Sequence, residues 1–198
     1  MILRPAPLAG AFIVEIEPVA DERGFFARTW CRREFAAAGI DLDIVQSSLS
    51  QSRLAGTLRG LHFQWPPSRE AKLIRCQRGR IHDVLVDLRP ASRTYRESFA
   101  LTLDAERHNA LFCPSGVAHG FQTLTPDSEV LYLMTDYYRP ELYAGVRYDD
   151  PAFAVAWPLA VSAIHERDRS YPDFDPAAHA QRFAAAQADS NANSAANG

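Results

Sequence analysis

The run Leu58-Arg59-Gly60-Leu61-His62-Phe63-Gln64 places a guanidinium, a glycine and an imidazole within one apolar stretch. An imidazole titrates near neutrality, so it can take and return a proton at physiological pH. In a straight strand the two-residue period sends Arg59 and His62 to opposite faces. Gly60 offers a way round this, because a glycine inside a strand often marks a bulge that re-aims the side chains after it. A lone strand histidine is ordinarily a core residue satisfied by one hydrogen bond, so His62 gains chemical meaning only from its company.

Lys72 is the only lysine in a chain whose other basic residues are all arginine, and it opens the apolar run Lys72-Leu73-Ile74-Arg75-Cys76. A compact ammonium at such a place suits a developing negative charge. Tyr132 and Tyr138 lie an even number of residues apart in Val130 to Tyr138, which points both to one face of a straight strand. A tyrosine hydroxyl can deliver a proton and its ring can stack on a planar ligand, although both residues also read as ordinary core aromatics. His119 follows a turn in Pro114-Ser115-Gly116-Val117-Ala118-His119. Asp168, in Ile164-His165-Glu166-Arg167-Asp168, could orient a histidine and fix its tautomer. A metal site on His62, His82 and His119 can be drawn from residue types alone. The neighbours Phe63 and Gln64, however, supply no second histidine of a His-x-His pair.

The elements that must hold these groups read as strands. Short apolar stretches near 11–16, 25–30, 44–49, 57–63, 72–78, 81–88, 99–103, 110–113, 120–125 and 130–137 are separated by Gly, Pro, Asp and Ser, the pattern of a barrel or sandwich. One helical segment is expected at 32–38, ending at Gly39, a residue suited to the left-handed cap. The fold class is therefore all-β with a few short helices. Beyond Trp157-Pro158 the pattern loosens, and the Ala, Asn and Ser of 189–198 offer too little apolar surface to offset ordering, so disorder is expected there.

A length of 198 residues, 47% of them hydrophobic, is enough for one domain with one sizeable core. The net charge of −3 is spread along the chain and forms no basic stripe, which argues against a nucleic-acid partner. Arg23, Arg28, Arg59, Arg75 and Arg78 still leave room for bidentate recognition of a small phosphorylated ligand. Cys31, Cys76 and Cys113 form no Cys-x-x-Cys pair, so neither a disulfide framework nor a zinc knuckle is indicated. The opening Met1-Ile2-Leu3-Arg4-Pro5 lacks a signal-peptide run and no stretch is long enough to span a bilayer, which leads us to expect a cytoplasmic protein with no membrane partner.

Taken in order, Asp21-Glu22-Arg23-Gly24-Phe25-Phe26, Gln46, the Leu58 to Gln64 run, Lys72, Gly116-Val117-Ala118-His119-Gly120-Phe121, Tyr132, Tyr138, Trp157-Pro158 and Asp168 resemble the dTDP-4-dehydrorhamnose 3,5-epimerase family. The resemblance spans roughly residues 1 to 175. It implies a cupin-like double-stranded β-helix, or jelly-roll barrel, over 1–176 with a separate tail over 177–198. It implies a metal-free isomerase without a cofactor, and a homodimer in which exchanged N-terminal strands complete the neighbour's site. The implied activity inverts carbons 3 and/or 5 of a 4-keto-6-deoxy nucleotide sugar, a step in deoxysugar supply for polysaccharides.

By position, the resemblance makes His62 the base, Asp168 its partner, Lys72 the group that meets the enolate oxygen and Tyr132 the proton donor. Arg23 and Arg59 would hold phosphates, His119 would contact the sugar or its phosphate, and Phe26 and Tyr138 would sandwich the base. Gln46 belongs to the same binding set. Three positions in that set depart from the family pattern. Arg28 and Tyr143 stand where glutamates are usual, and Ser48 replaces an asparagine. These changes make the site more positive and suggest retained chemistry on an altered nucleotide sugar. The competing readings are a related epimerase or ketoisomerase, and a sugar-nucleotide-binding module without catalysis. The latter has no need of Lys72, Tyr132 and Asp168 together.

Overall fold

The structure is a computed structural model that describes the backbone of residues 1–196 and the side chains of residues 1–188. Two antiparallel sheets pack face to face. The first runs in the order β1 (Ile2–Pro5), β2 (Phe12–Glu15), β10 (Ala110–Cys113), β7 (Lys72–Arg78), β12 (Ser128–Met134) and β5 (Gln46–Ser52). The second runs β13 (Tyr143–Gly145), β6 (Thr57–Gln64), β11 (Val117–Thr123), β8 (Arg80–Asp87) and β9 (Ser98–Asp104), and β14 (Ala163–Ile164) adds to β6 in parallel. A detached hairpin is made by β3 (Val19–Asp21) and β4 (Gly24–Phe26). The all-β class expected of the sequence is what the chain adopts, as a jelly-roll sandwich whose two sheets are not joined by hydrogen bonds into a closed barrel.

Side-chain alternation explains the layers. Ile74, Cys76, Ile81, Leu85, Leu103, Val117, Phe121 and Val130 face inward and form the central core. Their neighbours Leu73, Ala110 and Phe112 face outward, where Phe35 of helix α1 (Arg32–Ala37) covers them. On the other sheet Leu61, Phe63, Val84, Val86 and Ala118 are covered by the returning C-terminal segment, including Phe153 and Phe183. The central strands are thus covered on both faces, and β8 and β11 are buried along almost their whole length, polar residues included.

Helix α1 ends as expected, with Gly39 at φ +81°. The strand expected over 25–30 is realised only as Gly24–Phe26, and the one expected to reach residue 137 stops at Met134. Two helices follow the sheets in the chain, the short α2 (Glu166–Arg169) and α3 (Pro176–Ala196), which at 21 residues is longer than the short helices expected. The tail thought to be disordered is helical through 196. Its side chains from 189, and residues 197–198 altogether, lie outside the described residues. No helix among the described residues is long and apolar enough to cross a membrane.

Candidate active site

At one end of the sandwich the inward faces change from apolar to polar and enclose a cavity of about 290 Å³. It is lined by Gln46 and Ser48 from β5, Arg59 and His62 from β6, Lys72 from β7, His119 and Phe121 from β11, and Tyr132 and Met134 from β12. Glu70, Tyr138 and Tyr143 complete the wall. A larger cleft of about 890 Å³, between α3 and the loops carrying Arg69 and Arg93, contains none of the predicted residues.

Gly60 accounts for the shared face of Arg59 and His62. Along β11, His119 pairs with His62 and Phe121 with Arg59, so β6 spends one residue more than its partner over the same stretch. That extra residue is the bulge. At Gly60 φ is +115°, and a Cβ there would sit 2.5 Å from the Gly120 Cα and 2.8 Å from the His119 carbonyl oxygen. Only glycine fits, and Gly120 opposite is equally constrained, its added Cβ falling 2.7 Å from the Arg59 carbonyl oxygen.

Asp168 reaches the cavity because β14 pairs in parallel with β6, Ala163 beside Thr57 and Ile164 beside Leu58, which sets α2 against the bulge. His62 Nε2 donates to Asp168 Oδ1 at 2.7 Å, and the Gly60 backbone N–H donates to Oδ2 at 3.1 Å. This pairing leaves Nδ1 as the basic nitrogen of the neutral ring. Burial holds the His62 imidazole below its ordinary value of 6.5; Asp168 opposes this, while Lys72 and Arg167 reinforce it. Burial also works against charge on Asp168, but the His62 and Gly60 contacts outweigh it and keep the carboxyl below the usual range.

Tyr132 is partly buried, and that burial pushes its phenol well above the ordinary range, with Asp83 adding to the effect and Arg59 opposing it. It therefore holds its proton at neutral pH. Its ring meets His119 edge-on at 5.8 Å. The second histidine has its own carboxylate: His119 Nε2 lies 2.7 Å from Asp83 Oδ1. Burial raises the Asp83 carboxyl against the pull of His119, and its Oδ2 has no hydrogen-bond partner among the described residues. Lys72 Nζ pairs with Glu70 Oε2 at 3.0 Å, both side chains being largely enclosed.

The strand that was to carry both tyrosines ends early, yet both line the cavity. Tyr138 is placed by glutamines instead: Gln46 Oε1 accepts its backbone N–H at 2.8 Å, and Gln64 bonds the Tyr137 carbonyl and the Arg139 N–H on either side. Tyr143 packs on His62 with ring centroids 5.1 Å apart, and on Tyr138 at 5.4 Å.

Nine of the predicted binding and catalytic residues therefore line one cavity, namely Gln46, Ser48, Arg59, His62, Lys72, His119, Tyr132, Tyr138 and Tyr143, and Asp168 contacts it through His62. Arg23, Phe26 and Arg28 are elsewhere. Arg23 pairs with Asp21 in the exposed hairpin, Phe26 is 77% exposed at its end, and Arg28 pairs with Glu34 of α1. His82 faces the opposite side of its sheet and packs near Trp157, so the three histidines that could be drawn around a metal do not converge.

Sequence reasoning passed over Glu70, Asp83 and Arg167. Two of them left a signal. Glu70 shares the period-two face of Lys72, and Asp83 is a carboxylate inside the apolar run Ile81 to Leu88.

A family model for dTDP-4-dehydrorhamnose 3,5-epimerase matches residues 5–176. The dTDP-4-dehydrorhamnose 3,5-epimerase of Methanothermobacter thermautotrophicus is 41% identical over 83% of this chain and 89% of its own length. A crystal structure of the Bacillus anthracis enzyme of that name, with TDP and PPi bound, superposes with a TM-score of 0.84 at 35% identity, covering 87% of this chain and 99% of the other. A 3'-monoepimerase from Streptomyces bikiniensis, in complex with dTDP-quinovose, superposes with a TM-score of 0.80 at 31% identity, covering 91% and 90%. The match of the family model over almost the whole of the two-sheet domain, with relatives that agree in sequence and in fold, means that the chain belongs to the dTDP-4-dehydrorhamnose 3,5-epimerase family, whose members are isomerases of the racemase and epimerase class.

Proposed function

We propose that the protein inverts one or both of carbons 3 and 5 of a 4-keto-6-deoxy nucleotide sugar through an enolate. The observation that carries the reading is the His62–Asp168 pair, 2.7 Å apart in a cavity that also holds Lys72 and Tyr132. His62 Nδ1 takes the proton from the carbon beside the ketone, and the C–H electron pair passes into the carbonyl as an enolate. The Lys72 ammonium meets the charge on that oxygen. Tyr132 gives its proton to the other face of the carbon as the carbonyl re-forms, inverting it. Imidazolium and phenolate then return to their starting states by exchange with solvent. Asp168 holds the ring in the useful tautomer and stabilises its charge, a service worth on the order of 10² to 10⁴ in rate when combined with general base action.

Gln46, Ser48 and His119 are assigned to the sugar and Arg59 to a phosphate. A cavity of about 290 Å³ is small for a complete nucleotide sugar, since small-molecule sites run from roughly 300 to 1,000 Å³. The nucleotide then lies at the rim beside Tyr138. The β3–β4 hairpin exposes Val19, Phe25 and Phe26, which fits a homodimer in which the partner's hairpin brings Arg23, Phe26 and Arg28 to that rim. We place the protein in the cytoplasm, in keeping with its free cysteines.

Arg28, Ser48 and Tyr143 all fall among the binding residues and none among the proton-transfer groups, which favours a substrate related to, but distinct from, dTDP-4-dehydrorhamnose. Proton NMR in deuterated water tests both statements. The wild-type protein should exchange the C3 proton, the C5 proton or both, and His62→Ala should abolish exchange while circular dichroism shows the fold intact. Retained exchange in that variant removes His62 from the role. Turnover of the dTDP compound equal to or better than that of related 4-keto nucleotide sugars removes the altered specificity.

A further inference from the structure

Next to Asp168 in sequence, Arg167 makes contacts that the proton-transfer scheme does not use. Its Nη2 donates to the Tyr143 hydroxyl at 3.2 Å, and the guanidinium carbon lies 4.6 Å from the centre of the Tyr143 ring. A cation over an aromatic face is attracted by the ring quadrupole, and Arg can stack while it hydrogen-bonds, as Lys cannot. On its other side the Arg167 Nε is 3.6 Å from Asp168 Oδ1, the same oxygen that accepts from His62. Tyr143 in turn packs on the His62 ring. A closed set of contacts therefore runs from imidazole to carboxylate to guanidinium to phenol and back to imidazole.

The anchor of this set is firm. The His165 ring caps α2 by accepting the Arg167 backbone N–H at 3.1 Å, and Asp168 is buried. The Arg167 side chain itself is about half exposed, at 48%, so it forms the outer wall of the site and not part of its floor.

We propose that Arg167 is a positioning residue for proton transfer, bracing Tyr143 against the His62 ring and sharing the Asp168 carboxylate with it. This rests on the epimerase reading for its catalytic consequence, but its physical content does not need a substrate. Around His62 stand Asp168 and Arg167 from α2, Tyr143 from β13, Arg59 from β6, Lys72 with Glu70 from the start of β7, His119 from β11 and Tyr132 from β12. Of these, Asp168 favours the imidazolium and Lys72 and Arg167 disfavour it. Removing the guanidinium deletes one opposing cation and leaves Asp168 Oδ1 to His62 alone. Both changes favour the protonated ring, so the two effects act in the same direction.

The test is an NMR titration of the His62 imidazole in the whole protein, wild type beside Arg167→Gln and Arg167→Lys. With Arg167→Gln the midpoint should move to higher pH. With Arg167→Lys, which keeps charge without the stacked fork, it should stay closer to wild type. In solvent-exchange kinetics the acid limb of kcat/KM should follow the same order. At the optimum, Arg167→Gln should lose roughly 10- to 100-fold in kcat, as expected for a slightly misplaced base, with KM little changed. An Arg167→Gln ring that titrates with wild type, or an Arg167→Lys variant no nearer wild type than Arg167→Gln, overturns the proposal. Because the titration uses free protein, failure of the wild type to exchange any 4-keto nucleotide sugar overturns the epimerase reading alone.

Discussion

At the scale of single residues, the site depends on groups held away from their solution behaviour by burial. His62 sits below 6.5, so it is mostly neutral across the neutral range, as the proposed role of base requires. As pH falls through that depressed value the ring is protonated and the base is lost. The acid limb of kcat/KM should accordingly lie below the position of a free imidazole, measurable in a pH series of exchange rates. An acid limb above 6.5 would contradict the assignment. The same burial silences two thiols. Cys76 is pushed up to about 11 and Cys113 to about 12, and thiolate is the reactive form. A thiol-disulfide reagent near pH 8, a value chosen to be about that of a free cysteine, should label Cys31 at most in the native protein and all three cysteines after denaturation.

At the scale of elements, the decisive device is the bulge of β6. Gly60→Ala places a Cβ against backbone on β11 and puts a non-glycine residue at φ +115°, a strain of about 1–3 kcal/mol before any collision is counted. The strand has to shift, and Arg59 and His62 shift with it. A lower melting temperature together with at least ~10-fold slower exchange is expected, whereas a Gly60→Ala protein of wild-type activity would show that the bulge does not aim the site. The glycine was readable in the sequence as a bulge because it interrupts an apolar run between two functional groups. Other elements were less legible. The strand Ile2–Pro5 is too short to show a period, and the β3–β4 hairpin is exposed along its length with only Phe25 packed on His108, so neither carries the apolar signature that marks a strand. Helix α3 has almost no apolar stripe; within its described side chains only His179 and Phe183 are buried. The catalytic types could be picked out one by one, but the His119–Asp83 contact depends on β8 and β11 being neighbours, which is a fact of topology and not of spacing. Tyr138 is a further case: parity along the strand named the right face, although the chain had already left the strand and two glutamines do the placing.

At the scale of the whole molecule, three histidines on different layers, two half-buried and one buried, share one sign. His62, His82 and His179 are all held low by burial, His179 while its Nε2 bonds the Leu88 carbonyl and its ring packs among Trp65, Phe174 and Phe183. Below about 6.5 the unfolded chain binds more protons than the folded one, so stability is present above that value and is lost as pH falls through the folded-state values. Thermal melts at fixed ionic strength should show the midpoint dropping from about pH 7 to about pH 5; a midpoint that is flat or rises on acidification would contradict it.

The parallel pairing of β14 with β6 also bears on when the site is completed during synthesis of the chain. Every residue that lines the cavity has been made once Tyr143 leaves the ribosome. The carboxylate that bonds the His62 ring arrives only with Asp168, 106 residues after His62. A nascent chain can therefore assemble the pocket and still hold an untethered imidazole. Under the proposed mechanism the base is oriented only after the returning segment has paired with β6 and brought Asp168 to the Gly60 N–H and the His62 ring.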